Sequence, residues 1–500
     1  MTQAWELSAH QALAAFRDKT LSPSELVVAL QQRISEIDKA GDKPINAITE
    51  QLDDAMTAAK AADNYYARAN LDPLGTGVHA LAGLPVVTKE KHFLAGRTVS
   101  EGLQARADNV SAVAHPLVER IQQAGGVVLG RTTSPEFSCA TVTHSPLWGV
   151  TRNPWDRRYS PGGSSGGAGA ALAAGYAPLA TASDIAGSTR IPAGYNGVVG
   201  YKAPYGAVPG AGPMTADWYR GDGPMARTVA DAALLYSVMA GIDPRDHTTV
   251  LSSETLTPPM SDAAEWFKGK RIGLTTNLGG YEVDEYAVRA IDQTRKLLES
   301  AGADVVEIDL GWSSASIRDI TMGHFGHLLA DSMSEALDQY GWQAADYTRQ
   351  FVRDSQRAAQ QLTLWETITA EHQIQHQLAE QMADVEVLIA PVSAVSALQA
   401  EASYLGGLSF ENAQGQTVHL DHYWQAHMTV PFNINNRCPV LALPAPETGS
   451  PIPVGLQIIG KAYDENTVFN AGYAFEQLSP FTGLAPVASL AHTIDVSEAV

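Results

Sequence analysis

Only two cysteines, Cys139 and Cys438, occur in 500 residues, and they lie about 300 positions apart. Disulfide frameworks and cysteine zinc modules need clustered pairs, so two buried free thiols are the expectation. Long apolar runs are missing too: nowhere do roughly 18 apolar residues follow one another, as a membrane-spanning helix would need. The opening MTQAWELSAHQALAAF reads as an amphipathic helix without the basic segment of an export signal, so the expected location is the cytoplasm, with no membrane partner. Basic residues are scarce. Thirty-three Lys and Arg face 54 Asp and Glu, and the net charge of −21 argues against nucleic acid and for a neutral or cationic small-molecule partner.

What is present is a large core: 45% hydrophobic residues, 17% charged, 43 Gly and 27 Pro describe a compact, loop-rich globular protein. A prior of one domain per roughly 150 residues suggests three, but large α/β enzymes break that prior. Residues 1–70 read as helices, with Ser22 as N-cap, Pro23 in the first turn, Glu25 closing a capping box, and Leu26, Val27, Leu30 and Ile34 as the apolar stripe. A short strand from Leu84 to Val87 ends on Lys89, Glu90 and Lys91. On residue type alone Lys89 is either solvated or held in a site. Residues 114–132 form a helix stopped by Gly125-Gly126 and followed by the strand VVLG, a unit of an α/β sheet.

After Arg190, IPAGYNGVVGYKAPYGAVPG reads as strand and turn, and Thr228–Met239 as a helix with Val229, Ala233, Leu234 and Val238 inward. A second α/β stretch starts at the strand KGKRIGLTT (268–276), continues through a helix to a Gly302 stop, and ends in another strand. Residues 313–383 are helical and polar, and strands return at 385–391, 438–444 and 453–460. His324 with His327, and His372 with His376, sit at helical spacing. HQIQH lacks the glutamate of HExxH and no third ligand is evident, so both pairs read as solvated faces, with no metal.

Chemistry concentrates between Tyr159 and Arg190, YSPGGSSGGAGAALAAGYAPLATASDIAGSTR. Glycines at 162, 163, 166, 167 and 169 free the backbone for close approach, and Ser164 and Ser165 lie in that turn. The Ala-Leu run Ala168–Ala174 then makes a helix, whose N-terminus would stabilise anionic charge. A second turn, Ser183-Asp184-Ile185-Ala186-Gly187-Ser188, supplies consecutive amides suited to an oxyanion. Gly162-Gly163-Ser164-Ser165-Gly166 satisfies G-x-S-x-G, yet the nucleophile elbow needs a hydrophobic strand just before it, and NPWDRRYSP is polar and broken by proline. No Gly-Lys-Ser/Thr follows, which disfavours a phosphate loop.

Lys89 at a strand end, Ser164 in a Gly-Ser loop and Ser188 in the DIAGS turn resemble the amidase signature family, the Ser–cis-Ser–Lys hydrolases. GLPVVTKE, AGGVVLGRTTSPEF, SPGGSSGGAGAALAAG, SDIAGSTRIPAGYNGVVGYKAPYG, GPMARTVADAALL, VLIAP and PVGLQIIG share the likeness, which is dense over about 81–240. The resemblance implies an α/β fold with a central mixed sheet covered by helices on both faces, forming a single domain over 1–500. Within it, 75–240 would be the catalytic core and 310–430 the variable pocket region. It implies Ser188 as nucleophile, Ser164 as bridging serine after a cis Gly163–Ser164 bond, and Lys89 as base. The amides of Ile185, Ala186, Gly187 and Ser188 would form the oxyanion hole, supported by Gly163, Ser165, Asp184 and Arg190.

The implied reaction is cofactor-free hydrolysis of small-molecule amides, with carbamates and esters as further candidates and a homodimer as a possible assembly. The alternatives are a glutamyl-tRNA amidotransferase A-subunit-like protein or an inactive binding relative. Three departures stand out: Ala186 for a usual glycine, Thr189 for a usual isoleucine, and Arg131-Thr132-Thr133 for Lys-Thr-Asn. Each is expected to reshape the acyl pocket, and Ala186 to disfavour a left-handed turn. Loops around Trp148, Trp218 and Tyr219, and the aromatics Tyr423 and Trp424, are candidates for pocket walls or for ordinary core.

Overall fold

The computed structural model describes residues 3–68, 79–251, 256–257 and 262–487. Residues 69–78, at the expected boundary between N-terminal helices and catalytic core, lie outside them.

Eleven strands form one mixed sheet. In chain order they are β1 Ile48–Gln51, β2 Pro85–Lys89, β3 Val127–Thr132, β4 Leu179–Asp184, β5 Val199–Lys202, β6 Gly221–Ala226, β7 Arg271–Leu274, β8 Asp304–Glu307, β9 Leu388–Pro391, β10 Val440–Pro444 and β11 Gly455–Ile459. Their spatial order is β1-β3-β2-β4-β6-β5-β10-β11-β9-β7-β8. β2 runs parallel to β3 and β4, and β7 parallel to β8 and β9, while the central strands pair antiparallel.

The helices are α1 Ala9–Asp18, α2 Pro23–Ile37, α3 Ala55–Ala67, α4 Pro116–Gln123, α5 Gly166–Ala173, α6 Arg190–Asn196, α7 Val229–Met239, α8 Glu285–Ser300, α9 Ser314–Leu328, α10 Ala330–Gln339, α11 Asp346–Gln361, α12 Leu364–Gln381, α13 Pro431–Ile434 and α14 Glu465–Leu478. They cover both faces, and β5 shows it in two consecutive residues. A Cβ on Gly200 would meet Ala193 of α6, whereas Tyr201 packs edge-on against Tyr236 of α7 and at a tilt against Phe469 of α14. Alternation along a strand sends neighbours to opposite faces, so α6 lies on one side and α7 and α14 on the other.

The Ser22 capping box forms as expected, and Leu26, Val27, Leu30 and Ile34 are buried. Three expectations need correction. Ile48–Gln51, inside the stretch read as helical, is an edge strand antiparallel to β3. Arg190–Asn196 is a helix rather than strand: Pro192 stands in the first turn, where an N–H has no helical partner anyway, and Gly197 at φ 68° ends it. α7 buries Val229 and Ala233 as expected, together with Ala232, Leu235, Tyr236 and Met239, while Leu234 and Val238 are only half-buried.

Candidate active site

The parallel register Val86↔Leu179 and Val87↔Ala180 brings the C-terminal ends of β2 and β4 side by side. Lys89 ends β2, and the Asp184–Ser188 turn follows β4 into α6. The Gly-Ser loop that opens α5 is tied to this turn by Ser165 N–H, which donates to the Ser188 carbonyl at 3.2 Å. The Gly163–Ser164 peptide is cis. Glycine is required at 167, where a Cβ would lie 2.4 Å from Thr133 Oγ1 and 2.6 Å from its backbone nitrogen. That approach seats α5 against the Thr133 backbone.

Lys89 is fully buried, and its Nζ lies within hydrogen-bond distance of three hydroxyls, Ser164 Oγ at 2.7 Å, Ser183 Oγ at 2.9 Å and Ser165 Oγ at 3.0 Å. Burial, with Lys91 adding to it, holds its pKa well below the ordinary lysine value, against the opposing pull of Asp222 and Asp184. The solvated reading of Lys89 is therefore excluded by the fold. Behind it, Thr181 Oγ1 accepts from Lys89 N–H at 3.0 Å and contacts His92 Nδ1 at 2.8 Å, with Asp222 3.2 Å from the other ring nitrogen.

The turn is held from inside by Asp184. Its carboxylate accepts from Gly187 N–H at 2.7 Å, Thr189 N–H at 3.3 Å and Asn433 Nδ2 at 2.8 Å, and pairs with the buried Arg190 guanidinium at 2.9 and 3.0 Å. Burial alone would raise its pKa, but Arg190, Asn433 and Lys202 bring it down to about 2. This changes the expected amide set: the Gly187 N–H is spent within the turn, whereas those of Ile185, Ala186 and Ser188 have no protein acceptor among the described residues. The positive φ falls on Gly187, at 113°, and not on Ala186, so the alanine is accommodated without a left-handed backbone.

These groups open into a cavity of about 540 Å³ that Ser164, Ser183, Ile185 and Ser188 line. Its apolar wall comes from Phe137 and Cys139, from Phe325 of α9, Leu329 beside it, Met333 of α10, Phe351 of α11, and Trp424.

The amidase family model matches residues 25–469. The chain belongs to the amidase family.

This amidase is a hydrolase of carbon–nitrogen bonds. It is 31% identical over 504 residues to an acylamidase of Rhodococcus erythropolis, covering 97% of this chain and 98% of that one. It is 28% identical over 510 residues to the A-subunit of a glutamyl-tRNA(Gln) amidotransferase from Geobacter sp. (strain M21), covering 95% and 97%. Its fold matches the solved structure of a bacterial aryl acylamidase of the amidase signature family with a TM-score of 0.81 at 25% identity, over 95% of this chain and 97% of that one.

Several residues of the amidase site carry no signal in their own stretch of sequence. Thr429 Oγ1 donates to the Ala186 carbonyl at 2.8 Å, and Asn433 and Gln457 both accept from Arg190, at 2.7 and 2.9 Å. All three lie more than 200 residues from the turn they hold, and only the fold brings them there.

The departures fall elsewhere than expected. Neither Ala186 nor Thr189 lines the cavity: Ala186 packs in an apolar cluster and Thr189 faces Gly200 of β5. Arg131 and Thr133 bond to the backbone of Glu90 and to Thr151, also outside it. The loop around Trp218 and Tyr219 lines the cavity through Pro213, Met214 and Arg220, though not through those two side chains; of the other candidate aromatics Trp424 lines it, Trp148 does not, and Tyr423 borders a neighbouring cavity of about 280 Å³.

The histidine pairs divide. His372 and His376 are exposed, as read. His324 is fully buried, its two ring nitrogens 2.9 Å from Asp217 and 2.9 Å from Glu371, so it is an ion-paired core group. Burial works against its charge, but the two carboxylates raise its pKa. Among the described residues no group of three or more His, Cys, Asp or Glu is placed to hold a metal ion, and no helix is long and apolar enough to cross a membrane. Cys139 and Cys438 are buried and unpaired.

Proposed function

We propose that this amidase hydrolyses small-molecule amides, aryl and alkyl, through a Ser188 acyl-enzyme, and that carbamates and esters share the same centre. The observation that carries the reading is Lys89. A buried lysine kept neutral has a free lone pair, and at 2.7 Å from Ser164 Oγ it is within reach to act as a base. In the proposed step Ser188 Oγ attacks the carbonyl carbon, its proton passes to Ser164, and the Ser164 proton passes to Lys89. The resulting oxyanion is received by the free amides of Ile185, Ala186 and Ser188; removing one such donor typically costs roughly 10²–10³ in rate. Collapse breaks the C–N bond, the departing amine recovers the proton through Ser164, and water then repeats the attack on the acyl-enzyme.

The apolar, aromatic wall suits an aryl or branched group on the substrate, in keeping with the acylamidase relatives. A second reading, an amidotransferase A-subunit, has the support of the relatives of that name. Activity of the purified chain alone on a 4-nitroanilide tests both. Turnover that falls by roughly 10⁶ in Ser188→Ala, and by several orders of magnitude in Ser164→Ala and Lys89→Ala, is the expected result. Full loss in Ser164→Ala with a nearly unchanged Ser188→Ala would reverse the serine roles. Absence of turnover without partner subunits would favour the second reading.

A further inference from the structure

Three cations that the reaction above does not use line the cavity, and of these Arg106 is paired with Glu101, which leaves Lys91 and Arg220. Lys91, two residues beyond Lys89, is half-buried and lines the cavity, and among the described residues it has no hydrogen bond or ion pair. Arg220, in the loop before β6, lines the same cavity. Among the described residues its buried Nε has no partner and its one ion pair is a 3.5 Å contact with Asp222.

The neighbouring carboxylates are shared with other groups, Asp222 being the one that faces Arg220. Asp222 lies 3.2 Å from His92 and 3.9 Å from His115, and Glu101 is paired with Arg106. Burial and then repulsion by Arg220 lower the Lys91 pKa to about 8, against Asp222 and Glu101, so at neutral pH the side chain is still mainly an ammonium. Lys91 has no carboxylate partner among the described residues and Arg220 only its 3.5 Å contact with Asp222, so two cations drawn partly out of water are stabilised by an anion that enters the cavity.

We propose that Lys91 and Arg220 form a subsite for a carboxylate carried by the substrate, an inference that rests on Ser188 and Lys89 being the reacting groups of this cavity. The substrate class is then amides with an acidic end and an apolar or aryl end. Arg220 offers the planar fork that matches a carboxylate, and Lys91 a point charge beside it. The chain's net charge of −21 repels anions at long range, but the screening length is about 8 Å at physiological salt, so inside the cavity the local pair decides.

The test compares the 4-nitroanilides of glutaric and pentanoic acid, which differ in charge at the far end. In wild type kcat/KM should favour the glutaryl substrate, and added salt should shrink that preference. The ratio should fall at least tenfold in Lys91→Gln and in Arg220→Gln, and reverse in Lys91→Glu, with folding checked by circular dichroism. A wild-type ratio near one, or a ratio unchanged in both folded glutamine variants, would overturn the subsite. Calorimetry on Ser188→Ala keeps this distinct from the chemistry. Binding of the glutaryl compound that disappears on adding Lys91→Gln supports the subsite even if no amide is turned over, and equal binding of the two anilides rejects it.

Discussion

Asp184 and Arg190 form a fully buried ion pair across the turn that carries Ser188, with Arg190 Nε 2.9 Å from Asp184 Oδ2. The pair closes a loop of backbone: the same carboxylate accepts the amides of Gly187 and Thr189, and the same guanidinium donates to the Thr429 carbonyl. The shape of the turn is thus set by a charge pair rather than by its own residues' propensities.

Breaking one side of this pair leaves a buried charge without its partner. Arg190→Met should cost about 3–5 kcal/mol of stability, read by chemical denaturation, and lower kcat far more than it raises KM. A variant with wild-type stability and rate would mean that the turn is held by its other contacts.

Gly187 combines φ 113° with a neighbour too close for any side chain, since a Cβ would sit 2.0 Å from Thr429 Oγ1. Gly187→Ala should therefore disturb the turn and remove most activity, and the added change Thr429→Gly, which removes both the Oγ1 and the Cβ that lies 2.6 Å away, should relieve the contact without relieving the backbone strain. The double variant is expected to recover stability in part and activity little. Full recovery of activity would show that the clash alone, and not the left-handed backbone, makes glycine necessary.

The third expectation concerns pH. Lys89 has a folded pKa depressed well below the free lysine value of 10.5, so between those two values the unfolded chain binds a proton that the folded one does not. Stability contributed by this group therefore rises with pH through that window, and the slope should diminish in Lys89→Met. Activity should rise through the folded pKa to an alkaline plateau as the amine loses its proton. Titration of kcat/KM on an anilide checks it, and a rate that is flat from acid to alkaline pH would remove Lys89 from the role of base.

Some of this was open to reading one stretch at a time. The Ser22 capping box, the helix–Gly–strand unit ending in β3, and the Gly-Ser loop feeding α5 depend on neighbours a few residues apart, so their signals lie within one window. Four-residue β1 gives too short a pattern to separate from a helix end, because its pairing partner β3 is some 80 residues away. α6 was hidden by Pro192 and Gly194, which discourage helix in mid-run but are tolerated in a seven-residue helix with Pro192 in its first turn. His324 read as surface because helical spacing reports a face and not what packs on it; Asp217 and Glu371 come from two other parts of the chain.

By itself the sequence determined the chemical groups: which serines and which lysine exist, that their loops are rich in glycine, and that the catalytic stretch resembles one family. Only the tertiary structure decided their state. Lys89 is a buried amine beside Ser164 or a solvated cation according to whether β4 and α5 pack over it. The Gly187 amide is an oxyanion donor or a structural one according to where Asp184 points, and Lys91 is an ordinary surface charge or an unanswered one according to what lines the cavity. Each depends on desolvation and on partners far away along the chain, and burial is a property of the packed molecule, not of any residue's own neighbours in sequence.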